Sequence, residues 1–102
     1  MAELTWSERS ILDVEDIYDY IAHDSVLYAK YQAENIINAV ERLRQFPESG
    51  RHIPEFPNLP HREVIMGSYR IIYRYDVNKN EVKVVTVIHG SRLLTATFFA
   101  SE

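Results

Sequence analysis

The sequence predicts an α+β fold: an N-terminal strand and a helical hairpin packed on a mainly antiparallel sheet, in the order β-α-α-β-β-β. Three observations predict it. Apolar residues recur at helical spacing between residues 8 and 46. β-branched and aromatic residues dominate residues 62–89, as half-buried pleated surface favours. Between these halves lies PESGRHIPEFPNLP, which holds all four prolines of the chain.

Ala2 to Trp6 reads as a short edge or pairing strand. Ser7 can cap a helix by accepting from early backbone N–H groups. Ile11, Val14, Ile17, Tyr18 and Ile21 then share one face, with Glu8, Glu15, Asp16 and Asp19 on the other. Leu12 and Tyr20 point away from the apolar stripe, and Asp13 stands at its border. The bland reading of the acids is a solvated face; the sharper one is a docking surface with Leu12 and Tyr20 as apolar contacts. His23-Asp24-Ser25 breaks the pattern and offers a second cap at Asp24 or Ser25. Ala29, Ala33, Ile36, Ile37, Val40 and Leu43 form the next stripe, out to Phe46, and Pro47 stops it. The connection between the helices is short enough for an antiparallel hairpin. Residues 47–60 read as an irregular loop that carries Arg51 and His52.

Strands are expected at Arg62–Met66, Tyr69–Tyr75 and Val82–His89. Gly67-Ser68 suits a type II′ hairpin turn. Asp76 to Glu81, with Asn78 and Asn80, supplies the second reversal. Strand residues two apart share a face, so Arg70 and Arg74 are expected together. The run from Val84 to Ile88 reads as apolar on both faces, which places the last strand in a central, covered position.

A chain of 102 residues makes one domain, expected over residues 1–102. No run is apolar enough to span a bilayer, and the start carries no signal pattern. Without cysteine there is no disulfide or thiolate chemistry, and a cytoplasmic location is expected. Residues 1–50 hold ten acidic and four basic side chains, a net of −6; residues 51–102 hold five acidic and seven basic, a net of +2. The net charge of −4 argues against broad nonspecific nucleic-acid binding. His23, His52, His61 and His89 show no metal-ligand spacing, so neither metal nor other cofactor is expected.

What remains is a basic group on one sheet: Arg62, Arg70, Arg74, His89 and Arg92, joined by Arg51, His61 and Glu63. It suits two uses. In metal-independent RNA cleavage, Glu63 or His89 takes the 2′-hydroxyl proton and Arg70 or Arg92 stabilises the phosphorane. In binding without cleavage, the arginines grip carboxylates or a nucleic-acid backbone through their planar forks. The bland reading is cross-strand pairing of Arg62 and Arg74 with Glu63, Asp76 or Glu81.

The order of these segments resembles the RelE/ParE superfamily of bacterial type II toxins, on the ParE-like side. LTWSERSILDVEDIYDYIA is similar to the family's first strand and helix. FPESGRHIPEF resembles its P-x-x-G-R loop, and REVIMGSYRIIYRYD its R-x-x-x-x-x-x-Y-R-I-x-Y hairpin. VKVVTVIHGSRLL matches its V-x-x-V-x-H-x-x-R-x-L ending. The resemblance implies a toxin held inactive by a cognate antitoxin, with operator DNA bound only through that antitoxin. It also allows a dimer or a heterotetramer with the antitoxin, and involves no membrane. ParE-type members act on DNA gyrase and RelE-type members cleave mRNA on the ribosome. The tail LLTATFFASE lacks the lysine and tyrosine of the RelE branch, which favours a protein target. Arg51, Arg62, Arg70, Arg74, His89 and Arg92 are then target contacts; Glu63, Arg70, His89 and Arg92 are the catalytic set of the ribonuclease alternative. Leu12, Tyr20, Leu93, Leu94, Phe98 and Phe99 are the expected antitoxin contacts, also for a third reading, a non-toxic antitoxin-binding protein.

Overall fold

The computed structural model describes residues 1–99. Its elements are β1 (Glu3–Trp6), α1 (Glu8–Ala22), α2 (Val26–Glu41), a 3₁₀ turn at Arg42–Arg44, β2 (Arg51–His52), β3 (Arg62–Met66), β4 (Tyr69–Asp76), β5 (Glu81–His89) and a 3₁₀ turn at Ala96–Phe99. The five strands form one mixed sheet in the order β1-β5-β4-β3-β2, with β1 parallel to β5 and the other pairs antiparallel. The expected architecture is the observed one. Two details differ. The proline loop contains a two-residue strand, because Arg51 and His52 pair with Glu63 and Arg62. The second helix ends at Glu41 and tightens into a 3₁₀ turn before Phe46. The last strand, β5, is an interior strand between β1 and β4, while β4 is the middle of the sheet.

Both helix caps are serines. Ser7 accepts from the Ser10 N–H at 3.0 Å and Ser25 from the Tyr28 N–H at 3.1 Å, so each satisfies one orphan donor of its first turn. Gly67 has φ +59 and Ser68 is not in the left-handed region, as a type II′ turn requires. At the other reversal Asp76 accepts from the Asn78 and Lys79 N–H groups, and Asn80 turns the chain at φ +49.

The two faces of the sheet are covered differently. On one, Ile36, Ala39 and Val40 of α2 pack on Ile71, Val84 and Val87, with Val14 and Ile17 of α1 alongside. On the other, Ile72, Val85 and Ile88 are covered by Ile53 of the proline loop and by Leu94 and Phe98 of the tail. Fully burying each large aliphatic or aromatic side chain contributes about 1.5–3 kcal/mol. The apolar stripes are not wholly covered: Ile11 and Ile37 stay exposed. With Trp6, Val14 and Glu15 they line an open apolar groove of about 290 Å³ beside edge strand β1.

Strand β1 runs out at Trp6, opposite Val84, and leaves the outer edge of β5 without a neighbour. Helix α1 replaces it. The Ser7 hydroxyl donates to the Val85 carbonyl at 2.7 Å, and Asp13 accepts from the Val87 N–H at 3.0 Å and from the Thr86 hydroxyl. On the β4 side the register shifts, with Ile72 opposite Thr86 but Tyr73 opposite Val84, so Val85 is the extra residue of a β-bulge. Asp13 is therefore a structural acceptor rather than one more surface acid.

Candidate functional site

Pleat parity divides the basic residues. Arg70 shares the face of Ile72, the face covered by the loop and tail. Arg51 pairs with Glu63, which pairs with Ile72, so both lie on that face too. Arg62 pairs with Tyr73 and His89 with Tyr69, and both tyrosines pack on the helix side. The expected single surface of arginines beside the imidazole holds only in part: the sheet sends Arg51, Arg70 and Arg74 one way and Arg62 and His89 the other, yet at the sheet end Arg51, Arg70 and His89 border one hollow. Arg74 lies opposite Lys83 on β5.

On the loop-covered face the cations meet carboxylates. Glu63 is fully buried, and both of its oxygens are engaged. Oε1 accepts from Arg70 Nε at 2.7 Å and lies 2.6 Å from Arg70 Nη2; Oε2 accepts from Arg51 Nε at 2.7 Å and lies 2.7 Å from Arg51 Nη2. Arg70 then turns its outer edge to Glu55 of the proline loop, Nη1 to Oε2 at 2.7 Å and Nη2 to Oε1 at 2.8 Å. That is the bidentate fork for which arginine is suited. The Arg70 guanidinium holds the Glu55 carboxyl well below the usual range, at about 2. The bond to Glu55, with help from Glu63, in turn raises Arg70.

Glu55 is the residue that sequence reasoning missed. It lies fifteen positions from Arg70 in a loop with no periodicity, and no local spacing pairs the two. The glycine of the P-x-x-G-R loop explains how the loop comes so close. A Cβ on Gly50 would lie 2.6 Å from the Tyr73 hydroxyl and 2.7 Å from the Glu63 carbonyl oxygen, so only glycine fits. The Gly50 N–H donates to the Tyr73 hydroxyl at 2.9 Å, and Arg62 Nη1 donates to the Gly50 carbonyl at 2.8 Å. Arg62 is thus a staple for the loop.

His89 is exposed at the end of β5, edge-on to Tyr69 with 5.5 Å between ring centroids. Its Nδ1 accepts from the Ser91 N–H at 3.1 Å and contacts the Ser91 hydroxyl at 2.7 Å. With Nδ1 as the acceptor, Nε2 is the donor nitrogen of the neutral ring. Burial, then the nearby Tyr28 and Tyr20, raise the Tyr69 hydroxyl above its ordinary value. Arg92 lies over the Phe98 ring at 5.0 Å, and Arg9 of α1 lies over the same ring at 4.2 Å. Around the sheet end, Arg51, Glu55, Tyr69, Arg70 and His89 border one open hollow of about 580 Å³. Among the described residues, no group of three or more His, Asp or Glu is placed to hold a metal ion. No helix of the described chain is long and apolar enough to cross a membrane.

The expected antitoxin contacts also divide. Leu12, Tyr20 and Leu93 are exposed, but Leu94 and Phe98 are core residues and Phe99 packs edge-on to Phe56 and against His61. The tail is not a free apolar strip, because it is the lid over the second face of the sheet. The exposed apolar surface that the sequence did not single out is on α2: Val26, Leu27, Tyr28 and Tyr31.

The model of the ParE toxin of the type II toxin-antitoxin system, parDE, matches residues 4–94. Toxin RelE2 of Caulobacter vibrioides is 32% identical over 93 residues, covering 91% of this chain and 100% of the relative. Two solved structures share the fold. One is from the chromosomal ParDE system of P. aeruginosa, with a TM-score of 0.69, 19% identity, and 87% and 96% of the two chains covered. The other is from the RelBE2 toxin-antitoxin complex of Mycobacterium tuberculosis, with a TM-score of 0.65, 16% identity, and 86% and 96% covered. The chain therefore belongs to the ParE toxin family of type II toxin-antitoxin systems, within the RelE/ParE superfamily.

Proposed function

We propose that this toxin acts by binding a protein target, DNA gyrase, without breaking a bond itself, and that a cognate antitoxin neutralises it. The observation that carries the non-catalytic reading is the state of Glu63. A general base must present a free lone pair to the proton it removes. Glu63 is 1% exposed with both oxygens in ion pairs to Arg51 and Arg70. Arg70 is 8% exposed, with its inner edge on Glu63 and its outer edge on Glu55, and Nδ1 of His89 accepts from the Ser91 N–H. The net charge of −4 further opposes affinity that depends on phosphate contacts. The ParE likeness supports gyrase as the target.

An antitoxin partner is supported by the relatives, two of which are components of ParDE and RelBE2 toxin-antitoxin systems. The open groove of Trp6, Ile11, Val14 and Ile37 offers a seat for an amphipathic segment, and further exposed apolar side chains stand elsewhere on the hairpin, Tyr20 beside Tyr69 and His89, and Leu27, Tyr28 and Tyr31 on α2. Target contacts are drawn from Arg51, His89 and Arg92, which are exposed, and from Arg70, which borders the same hollow as Arg51 and His89.

A supercoiling assay with purified gyrase tests this reading. The toxin is expected to stop supercoiling, and prior incubation with the antitoxin of the same operon is expected to restore it. Unchanged supercoiling at saturating toxin removes gyrase as the target.

A further inference from the structure

The two carboxylates on Arg70 are not equivalent. Glu63 is enclosed, fixed by contacts to two arginines, and belongs to strand β3. Glu55 has 38% of its side chain exposed and sits in the proline loop, two residues beyond the fully buried Ile53 that anchors it. Its carboxylate is held chiefly by Arg70, with its own backbone N–H and the Arg51 charge assisting. Ile53, and not Glu55, is the buried anchor of this part of the loop, so turning the Glu55 side chain away would free the outer edge of Arg70 without moving that anchor. The freed guanidinium edge then faces the hollow bordered by Pro54, Ile65, Tyr69 and His89.

We propose that Arg70 is a carboxylate-binding site whose resident is the chain's own Glu55, and that an acidic side chain of a protein partner replaces it. This inference rests on the protein-binding reading above and names the chemistry the partner must bring. Glu55 already shows the geometry of the bound state, two parallel N–H···O contacts of 2.7 and 2.8 Å. Charge selects the occupant. With Glu55 turned away, Arg51 and Arg70 against Glu63 leave one positive charge, which suits one carboxylate. A nucleic-acid strand brings a negative charge with every nucleotide and meets the displaced Glu55 and a chain of net charge −4. The exposed Ile65 beside the hollow adds an apolar contact for the residues flanking the acid.

An internal carboxylate competes at an effective concentration on the order of millimolar. Removing it unmasks the site. The test is an NMR titration of the full chain, following the Arg70 Nε–H resonance in the wild type, Glu55→Gln and Glu55→Ala. The probes are a blocked tripeptide with a central glutamate, its glutamine counterpart, and an eight-nucleotide oligouridylate. Both variants are expected to bind the glutamate peptide at least about tenfold more tightly than the wild type, with no response to the glutamine peptide. Equal affinity in wild type and variants overturns the proposal, as does tighter binding of the oligouridylate than of the acidic peptide. Loss of the fold in both variants contradicts the premise that Glu55 detaches on its own. None of these readouts involves gyrase, so failure here and failure of the gyrase reading are separate results.

Discussion

The backbone N–H of Gly50 donates a 2.9 Å hydrogen bond to the hydroxyl of Tyr73, in the buried seam between the proline loop and the middle strand of the sheet. This contact sets how closely the loop approaches, and therefore where Arg51 and Glu55 stand. Burial also pushes the Tyr73 hydroxyl above its ordinary value, so it stays protonated. Tyr73→Phe removes the acceptor and leaves the buried N–H unsatisfied, at a cost of about 1–3 kcal/mol. Gly50→Ala drives a methyl into that hydroxyl and the Glu63 carbonyl, and is expected to cost more than Tyr73→Phe. Urea denaturation of the two variants gives the order.

Asp13 supplies a second check, on the junction of α1 with β5. Asp13→Ala strips the Val87 N–H and the Thr86 hydroxyl of their acceptor, and a loss of about 1.5–3 kcal/mol is expected for bonds to a charged group. Asp16→Ala, on the same helix, is expected within about 0.5 kcal/mol of the wild type, as is usual for surface substitutions. Equal midpoints for the two variants in denaturant would show that Asp13 is only a surface acid.

Glu55 gives a pH dependence of definite sign. Its carboxyl is depressed from 4.5 to about 2 by Arg70. A depressed folded-state value adds stability that is complete above about 4.5 and is lost as pH falls through about 2. Glu55→Gln removes this contribution at every pH. The gap between the wild-type and variant denaturation midpoints should therefore be constant above pH 4.5 and close between 4.5 and 2. Parallel curves across that window would disconnect Glu55 from Arg70.

Glu63 is expected to behave differently from Glu55, although both hold Arg70. Removing one partner of a buried ion pair leaves an uncompensated charge and costs about 3–5 kcal/mol. Glu63→Ala is accordingly expected to unfold at far lower urea than Glu55→Ala. The same comparison checks the reading of Glu63 as scaffold: a folded Glu63→Gln protein that still acts in cells is expected, because no proton transfer depends on it.

Much of this arrangement was legible in the sequence, for physical reasons. The serine caps, the helical stripes and the β-branched strands are local signals, and the structure places β1, α1, α2 and β3–β5 where those signals stand. What the sequence did not reveal depends on non-local geometry. Pleat parity puts His89 and Arg70 on opposite faces only once the partners Tyr69 and Ile88 are known. The Glu55–Arg70 pair is made by a folded loop, and the bulge at Val85 by the register of two strands. The tail shows a further limit: Leu94 and Phe98 are apolar enough for an interface or a core, and composition alone does not distinguish these fates. The proline loop likewise hides a strand, because two residues give no period.

The exposed residues of the helical hairpin carry the partner prediction. Tyr20 and Leu27 are 81% and 80% exposed. Replacing both by alanine is expected to leave stability within about 1 kcal/mol. The same change is expected to weaken antitoxin binding by about 2 kcal/mol or more, as loss of apolar anchors does at interfaces. Calorimetric titration with the purified antitoxin measures it, and unchanged affinity would move the docking surface elsewhere.

The central claim is that this ParE-family toxin works by binding and cuts no RNA. Primer extension on an mRNA under translation, with and without saturating toxin, tests it most directly. Full-length extension products in both reactions are predicted. Toxin-dependent stops at codon positions, abolished by His89→Ala, would contradict the claim and return the imidazole to a catalytic role.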